Sequence, residues 1–188
     1  MAMQISADGY KFDFADGVVD AFIYDNPNRA DGVHGMKSVD IIAEFPNESL
    51  FVELKKYKPE RGGIEFRCPI WDKKEIVARC PVATDVRKRD LASAKRMAYD
   101  LRRKYCDSFL ARFAQGKNDK DVNYLCVVGG CDGAIALRMK DLVTQSIPRG
   151  IPNHSGWVRR IVKNIAVVNV SLWNSTPELS KYGKVSLI

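Results

Sequence analysis

Asp40, Glu53 and Lys55 stand on two apolar runs, VDIIAEF and LFVELKKY, joined by PNES. Twelve residues separate the two acids, and one separates Glu53 from Lys55. Two carboxylates and an amine drawn to one point suit a divalent cation and a scissile phosphate. Mg²⁺ and Mn²⁺ are hard ions that take carboxylate, water and phosphate oxygens. Such an ion orients a water, lowers its pKa and neutralises charge developing on the phosphate. A neighbouring ammonium adds stabilisation of the oxyanion or positions the water.

Whether the three residues converge depends on the elements that carry them. Residues 39–45 and 50–57 read as an antiparallel hairpin with Pro46 to Ser49 as its turn. Alternate strand residues share a face. Pairing Phe45 with Leu50 sets Ile41 opposite Leu54, Asp40 opposite Lys55 and Ile42 opposite Glu53. Val39, Ile41, Ala43, Phe45, Leu50, Val52 and Leu54 then form one apolar face, and Asp40, Glu53 and Lys55 gather on the other. A slip of one residue would mix the faces, so burial selects against it. Facing residues lie about 5 Å apart and diagonal ones, such as Asp40 and Glu53, roughly 7–8 Å. Both carboxylates can therefore reach one ion. The bland alternative is a surface salt bridge on an amphipathic hairpin.

The hairpin resembles the active-site hairpin of the PD-(D/E)XK nuclease superfamily, the restriction-endonuclease-like fold. There an acid begins the second core strand and (D/E)-x-K lies on the third, matched here by Asp40 and by Glu53-Leu54-Lys55. A helix and a further strand follow in that core; residues 85–115 and 123–130 supply candidates, so the resemblance spans roughly residues 18–130. It implies an α/β fold with a mixed central sheet flanked by helices and metal-dependent phosphodiester hydrolysis. It also implies that the Leu54 backbone carbonyl joins Asp40 and Glu53 on the Mg²⁺ or Mn²⁺ ion. Val39 replaces the family's proline, a variable position. Many members carry an upstream acid on a first core helix. Asp20 is the best candidate if ADGVVDAFIYD is helical, with Asp16 and Asp25 as rivals; the segment is ambiguous between helix and strand.

The remaining elements read as one domain over residues 1–188. DGYKFDF alternates like a strand, and IEFRCPI and EIVARCPV suggest an inserted hairpin within 58–84. That insertion could bind substrate, mediate dimer contacts or pack as a lid. Leu91, Ala94, Ala98, Leu101 and Tyr105 mark a long helix over 85–115, with Asp85 as N-cap and Gly116 after its end. Lys88-Arg89, Lys95-Arg96 and Arg102-Arg103 recur at seven-residue intervals beside that apolar stripe, with Arg87 and Lys104 adding to them. They either track a phosphate backbone or form the helix's solvated face. NYLCVVGG reads as a buried strand, GAIALRMKDLVTQS as a helix and NIAVVNVSLWN as a strand. The glycine turn after Cys126 lacks the spacing of a P-loop or dinucleotide fingerprint. Trp157 with Arg159 and Arg160 could stack on and bind nucleic acid, although tryptophans more often pack.

Composition agrees with this reading. The 188 residues are 46% hydrophobic, enough for one core, and carry a net charge of +7 with a pI near 9.2. A basic surplus points to an anionic partner, nucleic acid first; the family resemblance implies DNA before RNA. Cys68, Cys80, Cys106, Cys126 and Cys131 form no CxxC pair, and His34 and His154 lie far apart, which argues against zinc and for reduced thiols. No leader or membrane-length apolar run is seen, so a cytoplasmic protein is expected. With two histidines and no nucleophile motif, covalent hydrolase chemistry is disfavoured. The alternatives are a nucleic-acid-binding module of the same fold with weak or lost catalysis, and an interaction subunit whose basic faces meet an acidic protein. Sequence specificity would require a homodimer, a partner protein or the 58–84 insertion.

Overall fold

A computed structural model describes residues 3–26, 36–57, 86–131, 133–150, 156 and 159–188, with the side chains of 86–92 excepted. Asp85, the expected insertion at 58–84, His34, His154 and Trp157 lie outside the described residues. In chain order the strands are β1 (Gln4–Ala7), β2 (Tyr10–Phe14), β3 (Asp20–Ile23), β4 (Ile41–Glu44), β5 (Glu48–Lys56), β6 (Asp121–Gly129), β7 (Asn164–Val168) and β8 (Gly183–Leu187). The helices are α1 (Val86–Ala114), α2 (Gly133–Ser146), α3 (Val170–Ser175) and α4 (Pro177–Ser180).

The expected mixed α/β architecture is present. A five-stranded sheet runs in the order β3-β4-β5-β6-β7. The β3–β4 and β4–β5 pairs are antiparallel, and the β5–β6 and β6–β7 pairs are parallel. Parallel neighbours need a crossover, and α1 and α2 are those crossovers. Both helices pack on one sheet face, where Ala94, Ala98, Leu101 and Tyr105 of α1 and Met139 and Val143 of α2 meet Ile42, Phe51, Tyr124, Cys126 and Val128. Tyr105 packs between Phe51 and Tyr124 in tilted ring contacts, with ring centroids 5.8 and 4.9 Å away. The Tyr124 hydroxyl donates to the Leu101 carbonyl at 2.8 Å, tying β6 to α1. Tyr124→Phe removes that one buried bond, and a loss of about 1 kcal/mol is expected by urea unfolding.

The opposite face is covered by a second sheet, β1-β2-β8, with α3 and α4. Here Tyr10, Phe12, Phe14, Val185 and Trp173 pack on Ile41, Ala43, Leu50, Val52, Leu54, Leu125 and Val127. The apolar hairpin face read from the sequence is thus a buried layer between two sheets. Tyr10 crosses to the larger sheet, where its hydroxyl donates to the Lys55 carbonyl at 3.1 Å. Only glycine fits at position 129, because a Cβ there would collide with that hydroxyl.

Three expectations are corrected. The segment containing Asp20 is a strand, so Asp20 sits on no first core helix; its side chain is exposed in a cleft with Phe22, Glu44 and Arg112. The run 164–174 is strand only to Val168. Asn169 then caps α3 by accepting from the Leu172 N–H at 2.9 Å, and local capping overrides β-propensity. The hairpin register is Ile41↔Val52, Ile42↔Phe51 and Ala43↔Leu50, two residues from that expected. The turn is tighter than PNES, with the Phe45 N–H bonded to the Glu48 carbonyl at 2.9 Å.

Candidate metal and phosphate site

Continued by one residue, this register brings Asp40 level with Glu53 rather than Lys55. The slip preserves the faces because it is an even number of residues. Asp40 lies just before β4, where the chain bends. The Val39 N–H bonds Ser108 Oγ at 2.9 Å, and the Lys37 N–H bonds Asp107 Oδ2 at 3.0 Å. Side chains of α1 thus satisfy the backbone leading into Asp40, and Val39 packs in the helix-side core instead of the expected face. The Asp40 carbonyl accepts from the Tyr24 N–H at 2.8 Å, which anchors the end of β3 beside it.

Both acids are removed from solvent: Asp40 is 5% exposed and Glu53 0%. Asp40 Oδ2 accepts from the Leu54 N–H at 2.6 Å. The N–H and carbonyl of one strand residue point to the same side. The Leu54 carbonyl therefore leaves toward Asp40, where Val39 has given its own N–H to Ser108. Lys55 Nζ lies 2.7 Å from Glu53 Oε1, and its side chain is 29% exposed. Asp40, Glu53 and Lys55 are thus brought together.

A fourth residue joins them. Lys104 of α1 places Nζ 2.9 Å from Glu53 Oε1, 3.0 Å from Asp40 Oδ1 and 3.5 Å from Asp25 Oδ2. The basic helix stripe had placed Lys104 among residues that track phosphate; its side chain, 12% exposed, turns inward instead. Lys95, Arg96 and Arg103 of the stripe are exposed. The signal for Lys104 was positional: it falls one turn after Leu101 and next to Tyr105, on the border of the buried stripe. Asp25, one of the two rival upstream acids, is the one that reaches this cluster, whereas Asp16 is exposed.

Burial pushes the Glu53 carboxyl up to about 7, and the Asp40 charge adds to the shift against the opposing pull of Lys104 and Lys55. Burial works against the Lys104 ammonium, but the Glu53 and Asp40 charges outweigh it and hold its pKa above the ordinary lysine range. Cys126, level with Glu53 on β6, has its thiol pushed up by burial, so it stays protonated and is no nucleophile.

Glu53 Oε2 decides what the site suits: it is buried with no hydrogen-bond partner. The contrast is Glu44, at the far end of the hairpin. Its oxygens are engaged by Arg112, by Ser49 Oγ at 2.7 Å and by Lys120 at 3.4 Å. Glu44 is a closed structural ion pair, while Glu53 keeps an oxygen to give. No known family model, curated protein or solved structure matches this chain.

The donor set fits a hard divalent ion. Among the described residues no three His, Cys, Asp or Glu side chains gather as a metal cluster. Two carboxylates suffice for Mg²⁺, which keeps several waters and takes substrate phosphate oxygens. Lys55 also lines an open cleft of about 220 Å³ with Lys56, Tyr57, Ser93, Arg96 and Asp100. Asp100 is paired with Lys37 at 2.9 Å, which leaves the cleft walls basic. No described helix is long and apolar enough to cross a membrane.

Proposed function

We propose that this protein is a divalent-metal-dependent nuclease of the PD-(D/E)XK type that hydrolyses phosphodiester bonds, in DNA before RNA. The observation that carries the reading is the buried, unpartnered Glu53 Oε2 beside Asp40, with an ammonium on the same carboxylate. Asp40, Glu53 and the Leu54 carbonyl would hold Mg²⁺ or Mn²⁺. When bound, that ion supplies charge neutralisation at the phosphate and a more acidic water. Asp40 is fixed for this task by the Leu54 N–H, and Glu53 by the strand pairing on both sides of β5. Lys55 spans the buried carboxylate and the open cleft, so its ammonium meets an entering phosphate and orients the attacking water. Lys56 and Arg96 attract the flanking phosphates.

The test is cleavage of single- and double-stranded DNA and RNA with Mg²⁺ or Mn²⁺, comparing wild type with Lys55→Ala. A loss of at least about a hundredfold is expected for the variant, the scale of one positioned proton-transfer or oxyanion group. Equal rates would remove Lys55 from the mechanism. The second reading is a binding module of the same fold with weak catalysis. Lys104 favours it, because an internal cation already neutralises the carboxylates. Salt-sensitive binding without cleavage of any substrate would select it.

A further inference from the structure

We propose that Lys104 is a built-in counter-cation: it holds Asp40 and Glu53 together in the metal-free protein and passes to Asp25 when a divalent ion binds between them. The inference rests on reading those two carboxylates as the metal ligands. Its basis is the position of one atom. Lys104 Nζ lies within 3.0 Å of an oxygen on each proposed ligand, where the shared ion would have to interact. Both partners are buried, so without a cation two carboxylates would face each other in a site of low polarity. Lys104 removes that repulsion in the resting state.

Charge balance explains why it must then move. With Glu53 ionised, the two buried carboxylates, Asp40 and Glu53, form a neutral cluster with Lys55 and Lys104, and the half-exposed Asp25 lies outside it. A divalent ion added to that cluster leaves a buried double positive charge. If Lys104 leaves, the ion and one phosphodiester restore neutrality with Lys55 still in place. Asp25 provides the receiving partner. It already lies 3.5 Å from Lys104 Nζ, its side chain is 54% exposed, and the Tyr24–Asp40 backbone bond fixes its position next to the site. A flexible lysine stem makes the transfer by rotamer change, with no shift of α1. Metal and nucleic-acid binding are therefore coupled, each raising the affinity for the other.

The experiment is calorimetric titration of MnCl₂ into the full chain at fixed ionic strength, with thermal melting in EDTA and in Mn²⁺. Lys104→Met is expected to bind Mn²⁺ at least tenfold more tightly than wild type, to melt lower in EDTA and to gain more from Mn²⁺. Equal or weaker Mn²⁺ binding in Lys104→Met overturns the proposal. Lys104→Gln, which keeps a donor to Asp40, serves if the methionine variant does not fold. Asp25→Asn is expected to weaken Mn²⁺ binding only while Lys104 is present. The same weakening in the Lys104→Met background would make Asp25 a direct ligand and overturn the transfer. In wild type, an uncleavable phosphorothioate duplex is expected to tighten Mn²⁺ binding, and unchanged affinity overturns the coupling. If neither wild type nor Lys104→Met binds Mn²⁺, the nuclease reading itself falls. Binding lost in Asp40→Asn but unchanged in Lys104→Met overturns the role of Lys104 alone.

Discussion

Asp40→Asn is expected to abolish Mn²⁺ binding and lower cleavage by about a thousandfold, while the chain stays folded. The substitution is nearly isosteric, and its amide oxygen can still accept the Leu54 N–H that Asp40 Oδ2 takes at 2.6 Å. The bend before β4 and the Val39–Ser108 bond do not depend on the charge. Lys104 keeps Glu53 and Asp25 as partners. What disappears is one of the two buried carboxylates proposed to hold the ion, and the amide nitrogen would turn a donor toward Lys104. Metal stabilisation of a phosphoryl transition state is worth several kcal/mol, and each 1.36 kcal/mol is tenfold in rate, hence the magnitude. Initial cleavage rates measured alongside melting curves in EDTA check both halves. Activity within tenfold of wild type, in a folded variant, would remove Asp40 from the site. A variant that melts far below wild type in EDTA would instead show that Asp40 mainly supports the hairpin.

The residues of this candidate site were more legible in the sequence than their geometry. Burial repeats every two residues on a strand, so the faces of β4 and β5 follow from Ile41, Ala43, Leu50, Val52 and Leu54. The register does not follow, because a two-residue slip keeps each of those side chains on the same face. It is decided by how tightly Phe45–Glu48 turns and by α1 capturing the Val39 N–H, neither of which has a periodic signature. The second sheet was hidden for a related reason. β2 pairs with β8, so its strands come from opposite ends of the described chain and share no local pattern. Lys104 was misplaced because charge suggests solvent. A lysine bordering a buried stripe turns inward only when carboxylates await it, and these lie on β4 and β5.

Raising the pH from 4.5 to above 7 is expected to destabilise wild type relative to Glu53→Gln by up to about 3 kcal/mol, measured by urea unfolding in EDTA. Burial, aided by the Asp40 charge, lifts the Glu53 carboxyl from 4.5 to about 7 in the folded protein. In the unfolded chain it titrates as an ordinary glutamate. Below pH 4.5 both states hold the proton and the group is neutral in its effect. Between 4.5 and 7 the unfolded chain has released a proton that the native state still binds, so stability falls as pH rises. Above 7 both states are ionised and the difference stays constant. One pKa unit corresponds to about 1.36 kcal/mol, which sets the ceiling. Lys104 adds no slope in this window, since the stability from its raised pKa is constant below the ordinary lysine range and is lost only above it. Glutamine at position 53 cannot ionise, so its stability lacks this slope. Parallel curves for the two proteins would mean that Glu53 titrates alike in the folded and unfolded states, with Lys55 and Lys104 fully compensating its burial. Saturating Mn²⁺ is expected to flatten or reverse the wild-type slope and leave Glu53→Gln unchanged. An ion on the Glu53 oxygens competes with the same proton, and only ionised Glu53 can receive it.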